Sequence, residues 1–208
     1  MDMTFIVLGI VIAYLIGNIS PSYIIGKKYG KIDIREHGSG NAGATNALRI
    51  LGKKFALIVF LADMGKGILG GLVGYYLGGK DLASITVIAV VFGHVFPVFL
   101  GFKGGKGVAT SIGAMIVIAP IFTIIATLLG VALIFKFRYV SLGSITGIAI
   151  LPLLIYSGRG ELRVVITALI LTCFVIYTHR ENISRLLKGK ERKIGEKAYA
   201  KRKKKKKA

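Results

Sequence analysis

The sequence predicts an all-α membrane protein: a polytopic bundle of seven helices, two of them short, with the N-terminus outside and the C-terminus in the cytoplasm. Three observations predict this class. The chain of 208 residues is 54% hydrophobic, its charges lie in short segments, and long uncharged runs separate those segments. Most of these runs approach or exceed the roughly 20 apolar residues that a spanning helix needs. The same pattern excludes a soluble protein, a disordered basic protein and a soluble nucleic-acid-binding protein.

The uncharged runs define the predicted helices in order. They are 3–26, 55–79, 82–102, 107–135, 139–158 and 164–178, and only the second is interrupted, by Asp63 and Lys66. The first run lacks the basic segment and cleavage site of a signal peptide, so we expect it to be a retained helix. Asp63 and Lys66 are three residues apart on one helix, and we expect them to pair with each other in a structural role.

The distribution of charge predicts the orientation. Four segments carry the whole net charge of +20: residues 27–54, Lys103 with Lys106, Lys136 with Arg138, and residues 180–208. The positive-inside rule places all four on the cytoplasmic side. We expect residues 1–195 to form one integral membrane domain and the lysine-rich residues 196–208 to be a disordered cytoplasmic tail.

Residues 107–135 are predicted to form two helices rather than one. A single helix would place Lys136 on the wrong side, and Pro120 lies near the middle of the run, where proline breaks a helix. We therefore expect short helices at about 108–119 and 121–136, which form a shallow hairpin and are each too short to span alone. Five full spans with a re-entrant hairpin have the same parity and are the alternative.

Two glycine-rich cytoplasmic loops are candidates for anion binding. The first has the sequence GSGNAGATN over residues 38–46 and is followed by Arg49. Its glycines let backbone N–H groups turn toward an anion, although a flexible linker is the alternative. The second has the sequence GFKGGKGVAT over residues 101–110 and precedes a predicted helix, so it combines a lysine with a helix N-terminus. A tight turn with topological lysines is the alternative here. It is not a Walker A motif, because Gly107 follows Lys106.

A third cluster lies at the cytoplasmic end of the last predicted helix. Its sequence is HRENISRL over residues 179–186, and the spacing places His179 and Asn182 on one helix face. An interfacial polar cap is the alternative. The single Cys173 lies in an apolar run and the three histidines are far apart, so the sequence predicts neither a disulfide framework nor a metal site.

Taken together, these motifs resemble those of the bacterial acyl-phosphate:glycerol-3-phosphate acyltransferases, the PlsY family, over residues 1 to about 195. The resemblance rests on GSGNAGATN with Arg49, on GHVFP with GGKGVAT, and on HRxNIxRL. It implies transfer of a fatty acyl group from acyl phosphate to the 1-hydroxyl of glycerol 3-phosphate, giving lysophosphatidate and inorganic phosphate in phospholipid biosynthesis. It also implies a multi-pass protein of the bacterial cytoplasmic membrane with its active site facing the cytoplasm.

The resemblance further implies the site residues and partners. The catalytic residues would be Ser39, Lys106, His179 and Asn182, and the substrate-binding residues would be Asn41, Asn46, Arg49, Gly104, Gly105, Gly107 and Ser144. Residues 104–107 would cradle phosphate, and either a side chain or a substrate phosphate would be the general base. No cofactor or metal is implied. Expected partners are the two substrates, membrane lipids and, transiently, the enzyme that makes acyl phosphate, but not nucleic acid.

The alternative function is a membrane transporter or binding protein for a phosphorylated lipid or metabolite. Transporters also use broken helices and cationic groups, but many of them contain an internal repeat, and none is evident between the two halves of this sequence. A lipid-binding scaffold would use its basic tail on anionic lipid. Neither alternative accounts for two phosphate-suited loops with His179 and Asn182 on the same side of the membrane.

Overall fold

The computed structural model describes residues 2–196, and the regular structure within this range is helical. The helices are α1 Met3–Asn18, α2 Pro21–Tyr29, α3 Ala44–Ile50, α4 Lys53–Val95, α5 Val108–Ile118, α6 Pro120–Phe137, α7 Val140–Ser157, α8 Leu162–Thr178 and α9 Arg180–Leu187. Short 3₁₀ turns lie at Ile34–Glu36 and Val98–Leu100. All but the first residue of the predicted tail lies outside the described residues.

Helix α4 consists of two antiparallel halves joined by a tight turn. Gly78 and Gly79 leave the helical conformation there, and Gly79 has a positive φ of 64°. Gly74 before the turn lies against the backbone of Ala83 after it, so the absence of a side chain lets the two halves approach closely. The halves correspond to the second and third predicted runs, although the later half ends at Val95. They form the centre of the bundle and pack against α1, α3, α5 and α8.

Several helices are long and apolar enough to cross a membrane. They are the joined pair α1–α2, α4 with the 3₁₀ turn that follows it, α6 and α7, with α8–α9 as a further candidate that is bent by 64°. Helix α5 is apolar but shorter. When α5 and the two halves of α4 are counted separately, the described part of the chain has seven apolar helical segments, in rough agreement with the predicted number.

Two details of the predicted helices are wrong. The first run is not one continuous helix, because α1 ends at Asn18 and a second helix begins at Pro21, whose fixed φ suits a first helical turn. The break before Pro120 is confirmed, but α6 is not short. Its 18 residues measure about 27 Å, close to the roughly 30 Å hydrocarbon core. The predicted helix, 121–136, is one residue shorter at each end, because Pro120 belongs to the first turn of α6 and Phe137 to the last.

The basic segments lie at one end of the bundle. Hydrogen bonds join them to neighbouring segments: Arg35 to the carbonyl of Leu100 (2.8 Å), Thr178 to the carbonyl of Lys106 (3.1 Å) and Arg138 to the carbonyl of Ile194 (3.0 Å). The opposite end carries ion pairs between Lys80 and Glu161 and between Arg163 and Asp81. This end-to-end division is the one predicted from the charge distribution, and it brings Lys106 and Arg138 to the same end.

Candidate active site

A cavity opens at the basic end and continues between the helices. Its volume, mouth included, is about 1310 Å³. The polar part is formed by the loop before α3, the loop before α5 and the bend between α8 and α9. The apolar part lies among α4, α5, α6 and α7, where its lining includes Phe60, Ile112, Val131, Ile134, Ile148 and Leu151. A cavity with one polar end and one apolar channel suits an amphipathic ligand.

Small residues leave room for the apolar channel. Helices α6 and α7 approach each other through Gly130 and Gly143, and Gly147 lies against the backbone of Ala126. All four residues also line the cavity. Residues that bring two helix backbones together without bulky side chains therefore also form part of the wall of an open channel.

The structure brings most of the predicted site residues into this one cavity. Nine of them line it: Ser39, Asn41, Asn46, Arg49, Lys106, Gly107, Ser144, His179 and Asn182. The other two, Gly104 and Gly105, line the adjoining groove at its mouth. The three motifs, far apart in the sequence, therefore meet at one place.

Asn46 shapes the first loop. Its buried side-chain nitrogen donates to the carbonyls of Ile34 and His37 at 3.0 Å each, and its oxygen accepts the N–H of Ser39 at 2.9 Å. Gly38 has a φ of 65°, and a Cβ there would overlap the Asn46 oxygen. The polar atoms of Asn46 thus bond to the loop backbone, and this arrangement supports an indirect role in which Asn46 holds Ser39 in place.

The polar end of the cavity is cationic. Four basic side chains line it: Arg49, Lys106, Arg185 and Arg192. Burial and the charge of Arg192 both lower the pKa of Arg49 from its ordinary value. Such crowding of cations is relieved by a bound anion, and guanidinium groups suit phosphate oxygens. Within residues 2–196, no group of three or more His, Cys, Asp or Glu side chains is placed to hold a metal ion.

The loop before α5 offers fewer backbone donors than its glycines suggest. The N–H groups of Gly104 and Gly105 donate to carbonyls at the end of α4, at 3.2 and 3.1 Å. Of the expected phosphate-binding backbone, Gly107, with a φ of 86°, and the first turn of α5 are still suited to offer N–H donors, because no side chain caps this helix. An uncapped helix N-terminus with a lysine beside it remains a suitable anion site.

Lys106 connects this loop to the third cluster. Its ammonium group donates to the side-chain oxygen of Asn182. Burial, reinforced by repulsion from Arg185, lowers the pKa of Lys106 to about 8. The group is therefore a cation at neutral pH and loses its charge in mildly alkaline solution.

Glu191 holds together the part of the polar end that is formed by α7 and α9. One carboxylate oxygen accepts from Ser141 at 2.8 Å and from the amide of Asn182 at 2.6 Å, and the other accepts from Arg185 at 2.7 Å. Burial opposes ionisation, but these three hydrogen bonds outweigh it and lower the pKa of Glu191. The carboxylate orients Asn182 so that its oxygen faces Lys106. Neither Glu191 nor Ser141 is predictable as a site residue from the sequence, because Glu191 lies in a basic stretch typical of a solvated surface and Ser141 lies outside the three motifs.

His179 is buried at the bend between α8 and α9. Its Nδ1 lies 2.8 Å from the carbonyl of Val175 and donates to it, which leaves Nε2 able to accept a hydrogen bond. Burial and the nearby charge of Lys106 lower the pKa of His179 to about 4. The imidazole is therefore neutral at physiological pH and suited to orienting a substrate hydroxyl.

Comparison with known sequences gives one consistent result. A family model described as glycerol-3-phosphate acyltransferase matches residues 7–189. The glycerol-3-phosphate acyltransferase of Alkaliphilus metalliredigens (strain QYMF) is 50% identical over 188 residues, which cover 90% of this chain and 95% of the relative. The protein of the same name from Thermoanaerobacter pseudethanolicus is 50% identical over 195 residues, which cover 94% of this chain and 98% of the relative.

Two solved structures share the fold. Both are crystal structures of PlsY (YgiH), an integral membrane glycerol 3-phosphate acyltransferase, one in its glycerol 3-phosphate form and the other in its lysophosphatidic acid form. The first has a TM-score of 0.87 and 40% identity, and the match covers 91% of this chain and 96% of that one. The second has a TM-score of 0.85 and 38% identity, with 91% and 95% covered.

Proposed function

The chain belongs to the glycerol-3-phosphate acyltransferase family, and we propose that it moves a fatty acyl group from acyl phosphate to the 1-hydroxyl of glycerol 3-phosphate. The products are lysophosphatidate and inorganic phosphate, and the reaction serves phospholipid biosynthesis. The observation that carries this proposal is the division of one cavity into a cationic end and an apolar channel. Both substrates carry phosphate, and the donor also carries an acyl chain, so this cavity suits both together.

The proposed mechanism is direct attack. The 1-hydroxyl oxygen bonds to the acyl carbon, the bond from that carbon to the phosphate oxygen breaks, and phosphate leaves with the electron pair. Because acyl phosphate is already an activated mixed anhydride, no covalent enzyme intermediate is needed. The protein supplies positioning, and it neutralises the charge that develops on the leaving phosphate.

Each part of the polar end has a role in this mechanism. Lys106 and the N-terminus of α5 stabilise the leaving phosphate, and Arg49 and Ser39 hold a second phosphate beside it. Asn182 orients Lys106. The Nε2 atom of His179 orients the attacking hydroxyl, whose proton passes either to His179 or to a substrate phosphate. Asn41 and Ser144 add hydrogen-bonding groups to the cavity wall.

The donor assignment is tested by offering the purified protein glycerol 3-phosphate with acyl phosphate, acyl coenzyme A or acyl carrier protein in separate assays. We expect lysophosphatidate from acyl phosphate without either thioester carrier. Lysophosphatidate from the thioesters alone would refute the acyl-phosphate assignment but leave the acceptor intact. No product from any donor, with labelled lipid moving across vesicles instead, would favour a transporter.

The pKa of Lys106 predicts a pH dependence. The charged form of Lys106 exists below its pKa of about 8, so kcat/KM for acyl phosphate should fall as pH rises through that value. This parameter reports groups of the free enzyme. The measurement is a profile of kcat/KM against pH from 6 to 10. The alkaline limb should be absent from Lys106→Met, and an unchanged limb in that variant would assign it to another group.

We further propose that the protein lies in the bacterial cytoplasmic membrane with seven spans, the N-terminus outside, and both the C-terminus and the active site facing the cytoplasm. The cationic end is also where an enzyme that makes acyl phosphate would dock transiently. The clustering of the basic segments at one end supports this orientation.

Cysteine labelling tests the orientation. Single cysteines at positions 28 and 136 should react with an impermeant maleimide only after the cells are permeabilised, whereas one at position 80 should react in intact cells. All three lysines at these positions are exposed, and the exposed Cys173 must first be replaced by serine. Labelling of position 136 in intact cells would contradict both the orientation and the assignment of α5 and α6.

A further inference from the structure

A buried ionic cluster lies beneath the loop that carries Lys106. Asp63 and Lys66, on the first half of α4, form the predicted ion pair at 3.0 Å. Asp63 also lies 3.3 Å from Nδ1 of His94, which is in the last turn of the second half. All three residues are no more than 6% exposed. A lone charge at membrane depth costs about 2.5–3.5 kcal/mol on insertion scales, and residues that are retained there usually serve a function.

Within this cluster, Lys66 has a structural role, because it links α4 to the end of α1. Its ammonium donates to the carbonyl of Gly17 at 3.0 Å and to that of Ile19 at 2.6 Å. Both carbonyls lie at the break between α1 and α2, where the helical hydrogen-bond pattern is interrupted. A cation at the end of α1 satisfies these acceptors and complements the negative end of the helix dipole.

Within this cluster, His94 is the residue that contacts the loop carrying Lys106. Its ring lines the cavity, and the ring lies so close to Gly105 that a Cβ on Gly105 would overlap Nε2. The carbonyl of His94 also accepts the N–H of Gly105 at 3.1 Å. His94 therefore holds Gly105 through both its backbone and its ring, and Lys106 is the next residue in the chain.

We propose that Asp63 and His94 are positioning residues for acyl transfer: Asp63 fixes the imidazole of His94, and the imidazole holds Gly105 so that the Lys106 ammonium faces the leaving phosphate. A buried carboxylate 3.3 Å from Nδ1 favours the tautomer that carries its proton on that nitrogen and restricts rotation of the ring. A displacement of about 1 Å in a catalytic group can cost roughly 10²-fold in rate. This inference rests on the proposed function, because it concerns the same site.

A double-mutant cycle tests the inference. His94→Phe keeps an aromatic ring but removes the contact with Asp63, and we expect it to lower kcat by about 10- to 100-fold. If His94 acts through Lys106, the same change in a Lys106→Met background should lower the residual kcat by less than about threefold, because interacting residues are not additive. If His94→Phe lowered kcat by the same factor in both backgrounds, the inference would be overturned, and the loss would be explained by a general effect on folding.

Two further variants keep the test decisive. Gly105→Ala disturbs the same contact from the loop side without removing a buried charge, so it replaces His94→Phe if that variant does not fold, and it should show the same non-additivity. Thr86→Val, a buried change in the same half of α4, is the matched control and should leave kcat within about twofold. If Gly105→Ala lowered kcat by the same factor in the wild-type and Lys106→Met backgrounds, the inference would also be overturned. Absence of acyl transfer in the wild-type protein would instead refute the proposed function.

Discussion

Replacement of Lys106 by methionine is expected to lower kcat/KM for acyl transfer by about 10²- to 10³-fold. Methionine keeps an unbranched side chain of similar length and removes the ammonium, which donates to Asn182 and lines the polar end of the cavity. Loss of one preorganised donor to developing charge typically costs about 2.7–4 kcal/mol, which corresponds to that range of rates. The measurement is kcat/KM for each substrate in detergent solution.

Lys103→Met is the matched control for this prediction. Lys103 lies in the same loop, three residues earlier, and its side chain is exposed. Charges in contact with solvent are strongly screened, so we expect a change of no more than about threefold. Comparable losses in the two variants would show that the loop contributes only a general positive potential, and the assignment of Lys106 to the leaving phosphate would then fail.

Glu191→Ala is expected to reduce both stability and turnover. The substitution removes the acceptor of three hydrogen bonds and leaves Arg185 without its closer carboxylate. Glu191 is buried but Arg185 is 39% exposed, so solvent screens their ion pair, and we expect the loss of stability to come mainly from the broken hydrogen bonds, at about 1–3 kcal/mol. Asn182 would also lose the bond that orients it toward Lys106, so molecules that remain folded should turn over at least about tenfold more slowly. Unfolding in detergent and kcat per folded molecule measure the two effects.

The control for this variant is Glu181→Ala. Glu181 contacts the same Arg185, but at 3.7 Å and with its side chain 79% exposed. Exposed pairs of this kind contribute about 0–1 kcal/mol, so stability and turnover should change little. Glu191→Gln then separates charge from shape, because glutamine can replace some of the hydrogen bonds but not the ion pair. Wild-type stability and turnover in Glu191→Ala would show that the network does not organise the site.

The sequence predicts the helical membrane class because run length and charge are local properties. The break before Pro120 is predictable for the same reason. The break after Asn18 also has a proline, Pro21, but no charged residue between the two helices requires the chain to turn there, so the run alone predicts one helix. The group that satisfies the carbonyls at this break is Lys66, almost fifty residues later. A stabilising contact of this kind becomes visible only when α1 and α4 are placed side by side.

The candidate site divides in a similar way. Each of the three motifs is a continuous stretch of sequence, so its residues could be proposed from the chain alone, and the structure brings the three stretches together. Glu191 could not, because its three partners lie on α7 (Ser141) and α9 (Asn182 and Arg185), and its neighbours in sequence are basic. The glycines of the second loop illustrate the converse: two of the amides expected to face phosphate are already used by the end of α4.

Direct transfer between two phosphate-bearing substrates in one cavity is the central claim, and a rapid-quench experiment with labelled acyl phosphate tests it most directly. With glycerol 3-phosphate present, we expect inorganic phosphate and lysophosphatidate to appear together in a 1:1 ratio. Without the acceptor, there should be no burst of phosphate and no labelled protein. A burst equal to the enzyme concentration, with the acyl group bound to the protein, would reveal a covalent intermediate and contradict the account.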